Sequence, residues 1–261
     1  MKKQLLTAAI LCCFVIAGST AAPKSAKKKP KIPVSRVQTH MDGYLGDRID
    51  ACIRVRVCSE DPDLLVAPMR RQTETSLWQS EFWGKWTLGA IASYRYNKDP
   101  ELLRKIEGGV ESLLVTQQPD GYIGNYAPEA QLTNWDVWGR KYTMLGLLAY
   151  YDLTGDKKAL DGTVRLADHL LTQIPAVRQI ERTGISERFP LDDPSRGWFV
   201  WENGQKAYEM MSCYDGLLEL YKVTNDPRYL KAVEATVTSI IADEINIAGS
   251  GSSFECFYKG K

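Results

Sequence analysis

Two stretches of the chain set an indole, a glycine and a cation side by side at the head of an apolar run: Trp83-Gly84-Lys85 within Phe82 to Trp86, and Trp138-Gly139-Arg140. Polar insertions stand around them. The first, Gln117 to Arg140, opens on a Pro119-Asp120-Gly121 turn and carries Tyr122, Asn125, Tyr126, Trp135, Asp136 and Trp138. The second, Arg188 to Lys206, brings Trp198, Trp201, Glu202 and Asn203. Aromatic faces mixed with carboxylate, amide and cationic groups suit sugars, because rings stack on C–H faces while polar groups reach hydroxyls. The expected binding set is Trp83, Gln118, Tyr122, Trp135, Asp136 and Trp138, gathered around one cavity. The competing reading makes the tryptophans plain plugs at helix ends.

Other chemistries find little support. The two histidines are His40 and His169, and there is no His-x-His, Cys-x-x-Cys or glycine-rich phosphate loop. His169, in Leu-Ala-Asp-His-Leu-Leu, reads as a packing or surface residue. A net charge of +1 over 261 residues gives nucleic acid nothing to hold.

The elements that position these residues come from a repeat. Asp99, Asp156 and Asp226 align, each with a glycine ten residues earlier (Gly89, Gly146, Gly216) and a tyrosine five earlier (Tyr94, Tyr151, Tyr221). A leucine follows four later (Leu103, Leu160, Leu230). The aspartate predicts a helix N-cap, and Pro100 and Pro227 fit the first helical position. Apolar residues then recur at helical spacing, as in Leu103, Ile106, Val110 and Leu113. The recurring glycines predict close helix–helix approach. A weaker unit is expected around Asp61-Pro62. Repeated helical hairpins with insertions at one end describe an all-α fold, an α/α toroid of the (α/α)6-barrel type. Three to four hairpins are expected in this chain, hence an incomplete ring whose last hairpin shows an apolar flank.

At the N-terminus, Met1-Lys2-Lys3, the apolar run Leu5 to Ala17 and Ser19-Thr20-Ala21 form the pattern of a signal peptide, expected over 1–21. The protein is therefore expected to be exported to the periplasm or outside the cell, with no stable membrane anchor. Residues 22–39 read as a basic flexible linker and 40–261 as barrel. Cys52, Cys58, Cys213 and Cys256 leave three pairings open.

The stretches "EFWGKW", "QQPDGYIGNY", "WGRKYTMLGLLAYYDLTGDKKAL" and "GYLGDRID" resemble the catalytic domain of glycoside hydrolase family 127, the β-L-arabinofuranosidases and their relatives, over roughly Met41 to Lys261. The resemblance implies an (α/α)6 barrel and a retaining glycosidase whose zinc is held by glutamate and cysteine thiolates, one cysteine being the nucleophile. It assigns Glu255, in "SSFECFYKG", to the metal. The second glutamate and the cysteine ligands belong to motifs this chain does not contain, so the catalytic residues are not named and the fragment alone is expected to hold no zinc and to be inactive. Where many members carry histidines near the start of the second inner helix, this chain has Trp135 and Tyr142, a departure that bears on which sugar is bound. The expected partner is a carbohydrate. Alternatives are another toroid enzyme, such as an unsaturated-uronyl hydrolase or polysaccharide lyase, and a non-catalytic glycan-binding module.

Overall fold

The computed structural model describes residues 39–173, 208, 211–243, 245 and 247–251, within a compact unit that begins at Thr39. The expected leader, the linker up to residue 38, the second insertion with Trp198, Trp201, Glu202 and Asn203, and Glu255 and Cys256 lie outside the described residues.

The described chain is helical, and its strand-like pairing is a lone parallel bridge between Glu74 and Tyr126. The helices are α1 (Gly43–Cys52), α2 (Pro62–Arg71), α3 (Glu81–Asn97), α4 (Pro100–Leu114), α5 (Asp136–Thr154), α6 (Lys157–Gln173), α7 (Cys213–Thr224) and α8 (Pro227–Asp243). A π-helical turn, Ile53–Val57, prolongs α1. Its trailing carbonyls are taken up from other helices: Trp86 Nε1 donates to Val57 O at 3.0 Å, and Lys105 Nζ donates to Cys58 O and Glu60 O.

The repeated aspartates do cap helices. Asp61, Asp99, Asp156 and Asp226 each accept a hydrogen bond from the backbone N–H two residues on, at 2.8–3.0 Å. The preceding helices end on left-handed residues, Lys98, Gly155 and Asn225, whose N–H groups return to the carbonyls of Tyr94, Tyr151 and Tyr221. The sequence repeat is thus a stop–start device that folds each pair into a hairpin. The weak unit at Asp61 is real, since it caps α2.

Helices α3, α5 and α7 pack side by side as an inner row, and α4, α6 and α8 lie outside them. That alternation is the arc of an α/α toroid. Val66, Met69, Ile91, Ile106, Met144, Leu147, Leu166, Leu170, Leu217 and Leu220 fill the space between the rows. The outer face of α8 shows Val237 and Ile241 to solvent.

Two expectations change. The leucine four residues after each cap is half-buried; the deep position is one earlier, at Leu102, Ala159 and Tyr229. Close approach holds for Gly146, where an added Cβ would come within 2.8 Å of the Trp83 ring, and for Gly216, where it would meet Met144 at the same distance. Gly89 faces open space. Close contacts also fall in the Trp-Gly-cation motifs themselves. A Cβ on Gly84 would sit 2.2 Å from Tyr142 O, and one on Gly139 would overlap Ser80 Oγ. The glycines let α3 and the start of α5 cross in contact.

Candidate functional site

The connection from α4 to α5, residues 115–135, is held down at both ends. The Gln118 carbonyl accepts from Gly121 N, and Gln118 N donates to Tyr122 O, each at 2.9 Å. Asp120 Oδ1 accepts from Tyr122 N. Glu74 N donates to Asn125 O and Glu74 O accepts from Ala127 N, which ties this loop to the segment after α2. The Glu74 carboxylate also accepts from the N–H groups of Thr75, Ser76 and Leu77, with Ser76's bond the largest cause holding its pKa below the usual carboxylate range. This fixes the turn that presents Trp78. Leu132 and Asn134 both have positive φ, 65° and 46°. Such non-glycine conformations carry strain and persist where neighbours over-determine them. Leu132 N donates to Asp136 Oδ2, and Asn134 Nδ2 donates to Thr75 O.

At the first turn of α5 sits a buried ion pair. Arg140 NH2 lies 2.5 Å from Asp136 Oδ2, and both side chains are essentially sealed from water. Asp136 Oδ1 accepts the Tyr122 hydroxyl proton at 2.8 Å, and the Arg140 guanidinium lies 4.6 Å from the Tyr122 ring centroid. Burial, then the Asp136 charge, pushes the Tyr122 phenol well above its ordinary pKa. Tyr122 is therefore a neutral donor. The group of three ties loop to helix and divides two differently built surfaces.

On one side is an aromatic mouth. Trp135 packs edge-on against Trp78 and Trp138, with centroids 5.5 and 6.4 Å apart. Trp138 meets Tyr142 and Tyr208, each at 5.0 Å. Lys85 and Lys141 lie 4.9–5.3 Å from the Trp138 and Tyr142 centroids, within cation–π range. Each lysine has a carboxylate 3.0 Å away, Glu81 for Lys85 and Asp215 for Lys141. Trp78 and Tyr208 are exposed and Trp135 half-buried, so ring faces reach solvent. Trp138 is nearly buried, and its Nε1–H has no hydrogen-bond partner.

On the other side, Gln118 and Tyr122 line a polar cavity of about 430 Å³ with Asp120, His169 and three further glutamines. His169 stands with Nδ1 3.4 Å from Arg140 NH1 and Nε2 3.4 Å from Asp120 Oδ2. Burial, then Arg140, holds its pKa below the ordinary imidazole value. The sequence reads His169 as a packing or surface residue on an outer helix; no local signal marks it, because its companions come from a loop 49 positions away and an inner helix 29 positions away.

The six expected residues therefore do not share one cavity. Trp135 and Trp138 belong to the mouth. Gln118 and Tyr122 belong to the polar cavity. Asp136 is buried between the two. Trp83 is fully buried in the core, with its Nε1 donating to Gly109 O at 3.0 Å. The error is one of register: Trp83 precedes Gly89 by six residues and Trp138 precedes Gly146 by eight. At about 100° of rotation per residue, two residues carry the side chain to the opposite side of the helix. The residue aligned with Trp83 is Arg140, also fully buried.

The zinc that the resemblance implies finds no ligand set among the described residues, where no group of three His, Cys, Asp or Glu could hold a metal. Cys52 and Cys58 are free thiols. Cys213 is buried, and burial pushes its thiol well above the ordinary value. The described residues do not fit that group.

Inner and outer helices with an aromatic mouth at the inner N-termini define an α/α toroid. The family profile described as β-L-arabinofuranosidase, GH127 catalytic domain, matches residues 35–193, more than half of the sequence. The chain belongs to that family. Among solved structures it is similar to a GH127 β-L-arabinofuranosidase from Geobacillus stearothermophilus T6, at 17% identity and TM-score 0.45, over 85% of this chain and 48% of that one. It is also similar to another GH127 β-arabinofuranosidase, at 17% identity and TM-score 0.41, over 81% of this chain and 45% of that one. The chain thus spans about half the length of these proteins. No curated protein matches it.

Proposed function

We propose that this chain forms part of an exported glycoside hydrolase that releases terminal sugar residues from glycans with retention of configuration. Family membership supports the reaction class, and the leader-like Met1 to Ala21 supports export. The observation that carries the carbohydrate reading is the mouth: solvent-facing Trp78, Trp135 and Tyr208 around Trp138, whose buried indole N–H is left without a partner. A buried donor without an acceptor costs about 1–3 kcal/mol, which a sugar hydroxyl entering the mouth would recover. Trp78 and Trp135 would stack on the sugar and Trp138 would donate to it. Lys85 and Lys141 hold the rings in place, each already neutralised by a carboxylate. The resemblance assigns Glu255 to the metal, and no step is assigned to a described residue through zinc.

The test is a panel of aryl glycosides, including β-L-arabinofuranoside, offered to the protein carrying this domain, with product configuration followed by proton NMR. Cleavage with retention is the expected result. A folded protein that cleaves no member, or one that inverts configuration, contradicts the reading. Glycan binding without cleavage would favour the non-catalytic module.

A further inference from the structure

We propose that the cavity between the 115–135 connection and the last turns of α6 is a second saccharide subsite, selective for an uncharged sugar residue. It rests on the carbohydrate reading above for the class of ligand, but on separate residues. Its polar lining is Gln72, Gln118, Asp120, Gln131, His169 and Gln173.

Arg140 organises this lining from behind. Its NH1 donates to Gln173 Oε1 at 2.6 Å and faces His169 Nδ1, while its NH2 is 3.4 Å from Gln131 Oε1. Gln173 Nε2 also donates to Gln131 Oε1, at 2.9 Å. The oxygens of Gln131 and Gln173 are thus committed inward, and Gln131 keeps its NH2 as a donor. Arginine can only donate, so the 3.4 Å approach of its NH1 favours the tautomer with Nδ1 unprotonated and the proton on Nε2. Gln118 spends its own NH2 on Thr116 O at 3.2 Å, which leaves its Oε1 as an acceptor. Gln72 Nε2 is buried with no partner.

The cavity therefore offers donors from Gln72, Gln131 and His169, and acceptors from Gln118 and Asp120. Hydroxyl groups, each both donor and acceptor, answer that mixture. The gap of 3.4 Å between His169 Nε2 and Asp120 Oδ2 is longer than a good N–H···O bond, so a hydroxyl can engage both. Among the described residues no lysine or arginine lines the space, and the charge they bring to it is the Asp120 carboxylate, which repels anions. The volume of about 430 Å³ falls within the range of small-molecule sites.

The experiment is an NMR titration of the full chain with D-xylose and L-arabinose, and with D-glucuronate as the charged counterpart, following the His169 ring protons. The uncharged sugars should shift the His169 signals saturably, and glucuronate should bind about tenfold more weakly. Gln118→Leu and Gln72→Asn should each weaken the response about fivefold, as expected for losing one hydrogen bond. Both replace side chains at the cavity wall, and a melting midpoint unchanged from wild type shows that the fold is kept. No His169 shift with any sugar overturns the proposal, as does glucuronate binding equally well. So does a response lost in Trp135→Ala but kept in Gln118→Leu, which would place the ligand in the aromatic mouth. The readout is binding at His169 and not turnover, so its outcome is independent of whether any glycoside is cleaved.

Discussion

Trp83 and Arg140 occupy the same position of the hairpin repeat, six residues before Gly89 and Gly146, and both are wholly buried. One is an indole donating to the Gly109 carbonyl. The other is a guanidinium that pairs with Asp136 and reaches Gln131 and Gln173. The same site in the fold is thus an apolar plug in one hairpin and an electrostatic brace in the next. The brace stands where the long loop must be fastened.

Replacing Trp83 with Ala should cost about 3–5 kcal/mol of folding free energy, the range for a buried aromatic. Urea denaturation measures it. A loss below about 1 kcal/mol, within ordinary surface effects, would show that Trp83 is not the core residue described.

Asp136→Asn should destabilise the chain by about 3–5 kcal/mol, because it leaves a buried guanidinium without its counter-ion. The same denaturation experiment serves. If Asp136→Asn melts like wild type yet weakens sugar binding, the carboxylate faces ligand after all.

Gly84→Ala and Gly89→Ala form a matched pair on one helix. The first forces a methyl against Tyr142 O at 2.2 Å and should cost about 1–3 kcal/mol or more. The second meets open space and should gain about 1 kcal/mol from helix propensity. Equal effects would contradict the α3–α5 contact.

His169 sets a pH dependence. Its folded pKa lies below the ordinary value of 6.5, through burial first and the Arg140 charge second. The unfolded chain therefore takes up the proton more readily than the folded one. The stability of the neutral side chain is complete above about pH 6.5 and is lost as pH falls through the interval beneath it. His169→Gln should flatten the fall in melting temperature between about pH 6.5 and 5. A variant with the same slope as wild type would show that the imidazole titrates as though exposed.

Much of this fold was legible in the sequence. Asp-Pro and Asp-Lys starts, the tyrosine–glycine register and the 3.6-residue spacing are local signals, and each became a cap, a C-terminal turn or a buried face. The membership of the site was less legible. Trp83 and Trp138 share a tripeptide, but a two-residue shift against the repeat put them on opposite sides of their helices. The Leu103, Leu160 and Leu230 set was off by one residue for a similar reason, since a leucine beside the stripe repeats as faithfully as one within it. His169, Gln131 and Gln173 converge only because Arg140 draws a loop and an outer helix together, and no spacing in the chain records that.

The central claim is that the Trp78–Trp135–Trp138 mouth holds the sugar. Its most direct test is calorimetric titration of a neutral glycan oligosaccharide into wild type and Trp135→Ala, each checked for an unchanged melt. Removing a stacking ring should weaken binding about tenfold, equivalent to about 1.4 kcal/mol. Identical affinities for the two proteins would mean that sugar does not meet this surface, and the mouth would then be packing alone.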